Sequence, residues 1–566
     1  MRVSKTWLKE LVDLKISDEE LVKLLPLRTI GTKEVTDNFI ELDMKGYNRA
    51  DLLSMRGVAY EVGAISSSPV KFKEISDPSE FIWTQNKWPE VLLEVENEKD
   101  TPVYCIAKIE NLKVEQSNAS WVNKLSNSGM RSVNNLADVT NLIMLEFGQP
   151  LHAFDADQVN GKIIVRRSKP DEAITTLDNK KRDLDHDILI TDESEPIGIA
   201  GIMGGKNSEV SDNTNIVYLE AAIFDPKSLK KTSQRLNLNS EAGKRFYHGL
   251  SQIRLFDALN KALKMYEELG GKVTGLTIKM AKPHFPQKPI KLGKKKVSNL
   301  IGIELDNKEI EESLTKLGFD VKDQGDSFDV TPPFWRMDVE IAEDLIEEVA
   351  RMYGYEKIPG QALEGQLPEK VDQSLFEFID NIKVKLVELG LTEVQTYSFY
   401  STRVLGALGF NRDLAIKHLI KVANPMSSET EFMRKDLWPN LVEVVDKNIR
   451  QGFEDIAIFE IGKTYGLTQE GEVEEKNVLS LALMNKTDNP ISELSALLKR
   501  INLEIDTEET SQNPALELFH PKRFRNLKYQ NMTIGELAEV HMRVLDKFGI
   551  SQRVAILQID LTPLIA

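Results

Sequence analysis

Three prolines fall within the eleven residues of KPHFPQKPIKL, positions 282 to 292, and they constrain this chain more than any other stretch. Proline lacks a backbone N–H and locks φ, so such a run is neither a helix interior nor a central strand; it reads as an extended linker between two domains. A chain of 566 residues needs breaks of this kind. A single core stops growing well short of that length, and roughly 100 to 200 residues per domain implies three to five domains.

Composition narrows the function classes. Hydrophobic residues at 41% and charged residues at 28% are the balance of a globular protein with sizeable cores. No apolar run approaches the roughly 18 residues of a membrane span, and MRVSKTWLKELVDL is amphipathic with acids, unlike a secretory leader. A cytoplasmic protein with no membrane partner is expected. Cys105 is the one cysteine, which excludes an internal disulfide or a thiolate zinc cluster, and the seven histidines show no HExxH pairing. Metal chemistry would have to use oxygen ligands. The formal charge of −17 argues against a surface that coats nucleic acid, so any RNA contact is local or shared with a partner.

Periodicity predicts an α+β, multidomain protein. Residues 1–85 form an N-terminal α/β domain: a helix with Trp7, Leu8, Leu11 and Val12 inward, a second opened by Ser17 or Asp18, a strand at Phe39 to Leu42, and a helix that Asp51 can cap, with Leu52, Met55, Val58, Ala59 and Val62 apolar. Residues 86–282 alternate strands such as KIIVRR and DILITD with glycine-rich turns and a few helices. Residues 283–360 hold short helices in a small helical, winged-helix-like module that ends on a helix from Asp338 to Tyr353. Its basic start, Lys294 to Lys296, fits an RNA contact or a solvated turn. Residues 361–566 alternate amphipathic helices with the strands VQTYSFY, IAIFEIG, VLSLALM and RVAILQID, a sheet covered by helices.

Two stretches carry candidate chemistry. In DVTNLIMLEFGQPLHAFD, 138 to 155, Thr140, Asn141 and His152 offer a hydroxyl, an amide and an imidazole around a turn. Downstream, IGIAGIMGGKNSEV, 197 to 210, is glycine-rich, so main-chain N–H groups can approach a ligand's oxygen, although it fits neither GxGxxG nor a Walker loop. Glu220 then stands among apolar neighbours in NIVYLEAAIF, where a carboxylate is either satisfied by a partner or poised for recognition. The second stretch is RMDVEIAEDLIEEVARMYGY, 336 to 355. There Asp344, Glu347 and Glu348 share a helix face and Asp338 lies upstream, which fits either an oxygen-ligand Mg²⁺ site or a solvated acidic face.

These residues resemble a known family, the β subunits of bacterial-type phenylalanyl-tRNA synthetase. Asn48-Arg49-Ala50-Asp51 is similar to the family's NRPD element, residues 138 to 155 to its editing signature, and DLIEEVARMYGY to the helix closing its small Mg²⁺-binding domain. Further likeness runs through TTLDNKKRDLD, GIMGGKNSEVSDNT, ANPMSSE, IAIFEIGKTY and GELAEVHMRVLDKFGI, and so spans nearly the whole chain. The resemblance implies an editing domain at 86–282, a Mg²⁺-binding module at 283–360, and at 361–566 a class II synthetase-like antiparallel-sheet domain without a complete active site. Only Met433-Arg434-Lys435-Asp436 is faintly similar to the class II arginine-then-acid motif.

The resemblance also implies partners and roles. An α subunit would hold the aminoacylation site in an α₂β₂ tetramer that charges tRNA(Phe) with phenylalanine using ATP. Thr140, Asn141, His152, a glycine among Gly201, Gly204 and Gly205, and Glu220 would form a pocket hydrolysing mischarged Tyr-tRNA. Glu220 would accept the tyrosine hydroxyl, His152 would orient water or the ester, and which group acts as base stays open. Asp338, Asp344, Glu347 and Glu348 match the family's Mg²⁺ ligands, a site shared with the α subunit. Two departures stand out. The chain passes from Val35 to Phe39 where full-length members insert an OB-fold, and it ends at Ala566 where they continue into an anticodon-binding domain; tRNA recognition would then rest on the α subunit and the remaining β surface. NRPD reads NRAD, and RFERG reads RFYHG at Arg245 to Gly249. A stand-alone aminoacyl-tRNA deacylase and a nucleic-acid-binding scaffold are the competing readings.

Overall fold

A computed structural model describes the chain except residues 76–80, 82–87, 282–287, 361, 363–364, 366–370, 410–418, 469, 486–488, 510–516 and 566. The expected boundaries after 85 and 282, and the prolines at 283 and 286, lie outside the described residues. The chain forms two compact units, Met1–Ala362 and Leu363–Ala566.

In the first unit, strands β1 (Arg2–Ser4), β2 (Thr32–Val35) and β3 (Phe39–Leu42) make a small sheet, with β2 and β3 joined by a tight hairpin. Helices α1 (Lys5–Leu11) and α2 (Asp18–Arg28) begin where Ser4 and Ser17 accept hydrogen bonds from backbone N–H groups, the cap chemistry that serine favours. Helix α3 (Met55–Ser66) is capped by Ser54. The expected cap, Asp51, instead opens a 3-10 turn and pairs with Arg49.

The middle of this unit is two sheets back to back. One comprises β5 (Val103–Glu110), β6 (Leu151–Asp155), β13 (Val217–Ile223) and β14 (Lys272–Met280) in the order β14-β5-β13-β6. The other comprises β4 (Leu93–Val95), β7 (Ile163–Arg167), β10 (Ile188–Thr191), β11 (Pro196–Ile199) and β12 (Met203–Gly204), in the order β12-β11-β10-β7-β4; β8 (Ala173–Thr175) and β9 (Lys181–Asp183) pair with each other. Helices α4 (Ala119–Asn127), α5 (Asn135–Phe147), α6 (Pro226–Leu236), α7 (Glu241–Tyr247) and α8 (Gln252–Glu268) complete it.

Strand parity divides the cores. On β5, Val103, Cys105, Ala107 and Ile109 pack with Leu136 and Val139 of α5 and Leu255 and Leu259 of α8. Tyr104 and Ile106 point the other way and pack with Ile163, Val165 and Ile190 of the second sheet.

The last part of the first unit has β15 (Ile290–Gly293), β16 (Asp320–Asp323) and β17 (Ser327–Thr331) in the antiparallel order β15-β17-β16, with α9 (Lys294–Ile301), α10 (Asn307–Lys316) and α11 (Ala342–Tyr353). The three helices and wing-like sheet match the expected module. The closing helix starts at Ala342 rather than Asp338, because the Asp344 carboxylate folds back to accept from the N–H groups of Glu340 (2.8 Å) and Ile341 (2.9 Å) and stops it there.

The second unit is built on seven strands: β18 (Thr392–Glu393), β21 (Ile456–Leu467), β22 (Val473–Met484), β23 (Asp506–Glu509), β24 (Phe519–Tyr529), β25 (Met532–Val540) and β26 (Ala555–Asp560). Their order is β18-β21-β22-β26-β25-β24-β23, antiparallel throughout except that β18 runs parallel to β21. A separate pair joins β19 (Phe399–Tyr400) and β20 (Phe432–Met433), and helices α12 (Ser374–Glu388), α13 (Thr402–Ala407), α14 (Trp438–Arg450), α15 (Pro490–Ile501), α16 (Met542–Lys547) and α17 (Thr562–Ile565) accompany the strands. The expected strand VQTYSFY is interrupted: the N–H and hydroxyl of Thr396 both donate to Glu460, taking the backbone away from a ladder.

Candidate functional site

A cavity of about 70 Å³ opens between the two middle sheets, under α7. His152 and Glu220 face it from directly opposed positions on β6 and β13, and Gly201, Gly204, Phe154 and Phe246 also line it. Pairing across antiparallel strands puts side chains 68 residues apart on the same face a few ångströms from each other.

The two polar groups are poised differently. Burial pushes the Glu220 carboxyl up to about 7, and a hydrogen bond from the Tyr104 hydroxyl to Oε2 (2.6 Å) opposes the rise. Burial pushes His152 down to about 4, so its imidazole is neutral at physiological pH; its Nε2 is sealed from solvent and has no hydrogen-bond partner. The ring stands edge-on to Phe154, with centroids 4.5 Å apart. An unpaired buried polar atom costs about 1 to 3 kcal/mol, a cost a ligand can relieve.

Glycine makes the room. A Cβ on Gly204 would lie 2.5 Å from His152 Cε1 and 2.6 Å from Nε2, so only glycine leaves the imidazole its place. Gly201 has φ +63° and would press a Cβ to 2.8 Å from Leu229 and 2.9 Å from Phe246. Two amides of the glycine turn are already engaged. Those of Ile202 and Gly205 already donate to the carbonyls of Ile199 (3.0 Å) and Ile197 (2.7 Å). Gly205 is not part of the cavity wall.

Thr140 and Asn141 do not join the cavity. They sit on α5, whose apolar side packs on the opposite face of the sheet, and the Thr140 hydroxyl donates to Ala137 O at 2.7 Å within its own helix. Tyr104 was not singled out from sequence. It lies in the apolar run VYCIAKIE, and only the register of β5 against β13 brings it to Glu220.

The four carboxylates matched to Mg²⁺ do not converge. Glu348 is buried and takes both Arg336 and Arg351; Asp338 takes Arg336; Asp344 is spent on the start of α11; Glu347 is exposed. Among the described residues no group of three or more His, Cys, Asp or Glu side chains stands close enough to hold a metal ion. Guanidinium groups supply the neutralising charge that a cation would have supplied, so these residues do not fit a Mg²⁺ held by this chain alone.

In the second unit Arg434 is also committed. It is buried and donates to Glu460 Oε1, Thr396 Oγ1 and Lys463 O, each at 2.9 Å.

The chain joins a pocketed two-sheet domain, a winged-helix-like module and a mostly antiparallel seven-stranded domain, and family models of a tRNA synthetase chain match these parts. The B3/4 domain matches residues 100–271, the tRNA synthetase B5 domain 290–355, and the phenylalanyl tRNA synthetase beta chain CLM domain 358–561. The phenylalanine--tRNA ligase beta subunit of Clostridium acetobutylicum is 32% identical over 568 residues, covering 97% of this chain and 71% of that one. Its counterpart in Staphylococcus haemolyticus is 33% identical over 533 residues, covering 90% and 65%, and that of Carboxydothermus hydrogenoformans is 33% identical over 562, covering 95% and 69%. The chain therefore belongs to the phenylalanine--tRNA ligase beta subunit family, and spans about two thirds of the length of the curated relatives it matches. Among solved structures, an N-terminal fragment of the phenylalanyl-tRNA synthetase beta-subunit from Pyrococcus horikoshii matches at TM-score 0.37 and 18% identity, covering 62% of this chain and 99% of that one, a likeness too loose to argue from.

Proposed function

We propose that this chain is the β partner of a phenylalanine--tRNA ligase in which an α subunit carries out ATP-dependent charging of tRNA(Phe), and that the cavity between its middle sheets removes tyrosine from mischarged tRNA. One observation carries the second part: a carboxyl and an unpartnered imidazole face each other across β13 and β6 at the floor of an otherwise apolar pocket. Tyrosine differs from phenylalanine by one hydroxyl. A buried acceptor that is left unpaired by phenylalanine rejects it far more strongly than an apolar pocket rejects an extra group.

The chemistry is ester hydrolysis. Water's oxygen bonds to the carbonyl carbon, the bond to the terminal ribose oxygen breaks, and that oxygen takes a proton, releasing tyrosine and free tRNA. Glu220 accepts the phenol; neutral His152 accepts a hydrogen bond through Nε2 and orients the ester or the attacking water.

The partnership is supported by the second unit. Phe376, Val384 and Val387 are 69%, 57% and 56% exposed at spacings of eight and three on α12, an apolar stripe suited to another chain. The test is the reconstituted complex. Glu220→Ala and His152→Ala are expected to abolish hydrolysis of Tyr-tRNA(Phe) while phenylalanine-dependent charging continues; unchanged hydrolysis in both would overturn the assignment.

A further inference from the structure

Glu220 is gripped from behind its own pocket. Tyr104 is wholly buried and is not part of the cavity wall, yet its hydroxyl donates to Glu220 Oε2 at 2.6 Å. The register explains the reach. Glu220 pairs with Ile106 on β5, and Tyr104 lies two residues along on the same face, opposite Ala222. Such diagonal neighbours are about 7 to 8 Å apart, a gap that a tyrosine spans. The Tyr104 ring is itself held edge-on to Phe224, with centroids 6.4 Å apart. Among the described residues no other group hydrogen-bonds to this carboxyl.

We propose that Tyr104 is the positioning residue of the pocket: it clamps Glu220 by one carboxyl oxygen so that the other alone is presented to an incoming phenol. The proposal rests on the proofreading reading and deepens it by naming what fixes the selecting group. A carboxyl already bound to a phenol on one oxygen is oriented before a second phenol arrives, which removes the ordering cost of binding. Losing the clamp frees the side chain to rotate and removes the one contact that favours its ionised form. Other groups do not intervene. His152, facing from β6, stays neutral, and the walls supplied by β10 to β12 and α7 carry no ionisable side chain.

The experiment uses the full chain and two small probes, p-cresol for the tyrosyl side chain and toluene for the phenylalanyl one, with affinities measured by NMR titration from pH 6 to pH 9. The wild type is expected to prefer p-cresol, with the preference growing as Glu220 ionises. Tyr104→Phe is expected to lose about tenfold of that preference at pH 7 and to regain it in part at higher pH, as expected when one charge-assisted hydrogen bond is removed. Site-specific 3-fluorotyrosine at position 104, a stronger donor that keeps the fold, is expected to move the midpoint downward instead. A preference and midpoint unchanged in both variants, but abolished by Glu220→Gln, would overturn the role of Tyr104 and leave the proofreading pocket standing. A wild type that does not distinguish the two probes would overturn the pocket and the clamp together.

Discussion

Glu61 and Arg351 stand 290 positions apart and meet through two hydrogen bonds, Nη1 to Oε2 at 2.7 Å and Nη2 to Oε1 at 2.9 Å. They are the centre of an alternating row of charges, Asp51, Arg49, Glu61, Arg351, Glu348, Arg336 and Asp338, that ties α3 to α11. Every carboxylate in the row touches a guanidinium, and both members of the central pair are buried.

Removing one partner from such a row leaves an uncompensated buried charge. Arg351→Ala is expected to cost the first unit about 3 to 5 kcal/mol, read as a lower urea midpoint of the full chain. A shift below about 1 kcal/mol would mean that water reaches the row.

The same row sets the acid limit. Burial alone would raise these carboxyls, but Arg351, with Arg49 beside Glu61 and Arg336 beside Glu348, outweighs it: Glu61 is held well below its ordinary 4.5, and Glu348 falls to about 2. A depressed carboxyl contributes stability that is fully present above the unfolded value and lost as pH falls through the folded one. Thermal stability is therefore expected to hold down to about pH 4.5 and to fall steeply toward pH 2. A flat melting temperature between those values would contradict the assignment.

Glu220 works in the opposite sense. Its folded value of about 7 lies above its ordinary 4.5, so the native state holds a proton that the unfolded chain releases. Its contribution falls as pH rises from about 4.5 through 7. Glu220→Gln is expected to stabilise the chain at pH 8 by up to roughly 3 kcal/mol and to do little at pH 4.5. Melting curves at the two pH values check both magnitude and sign.

Gly204→Ala places a methyl where the His152 ring now lies. The imidazole is confined by Phe154, so the substitution is expected to expel it from the cavity, destabilise the chain by about 1 to 3 kcal/mol and abolish hydrolysis of Tyr-tRNA(Phe). Retained hydrolysis would show that His152 acts from another position.

Val384→Lys with Val387→Lys on α12 is expected to leave the melting of the isolated chain within about 0.5 kcal/mol of wild type, since both side chains are exposed. Co-purification with the α subunit should nevertheless be lost. Undiminished assembly would place the partner elsewhere.

Much of the architecture was readable along the chain because it rests on local signals. The apolar period of Trp7, Leu8 and Leu11 marks α1, Ser17 or Asp18 ahead of an apolar period marks the start of α2, alternating and apolar runs mark β7, β10, β21 and β22, and the motif order from Asn48 to Ile550 marks the family. The pairing of His152 with Glu220 depends on two strands meeting in one register, which no local pattern encodes, and Tyr104 reaches Glu220 through the same sheet from a third strand. Parity of the pleat on β6 then turned His152 away from the helix that carries Thr140 and Asn141, although they are only 12 and 11 residues from it. Carboxylate spacing on this stretch fitted a cation equally well; Arg351 answers Glu348 from three residues on in the same helix, but Arg336 and Arg49 reach Glu348 and Asp338 only once the chain has folded. Sequence determined which elements form and what chemistry they carry. Tertiary structure decided which groups face one another, because pairing between strands and between distant charges is a property of three-dimensional register.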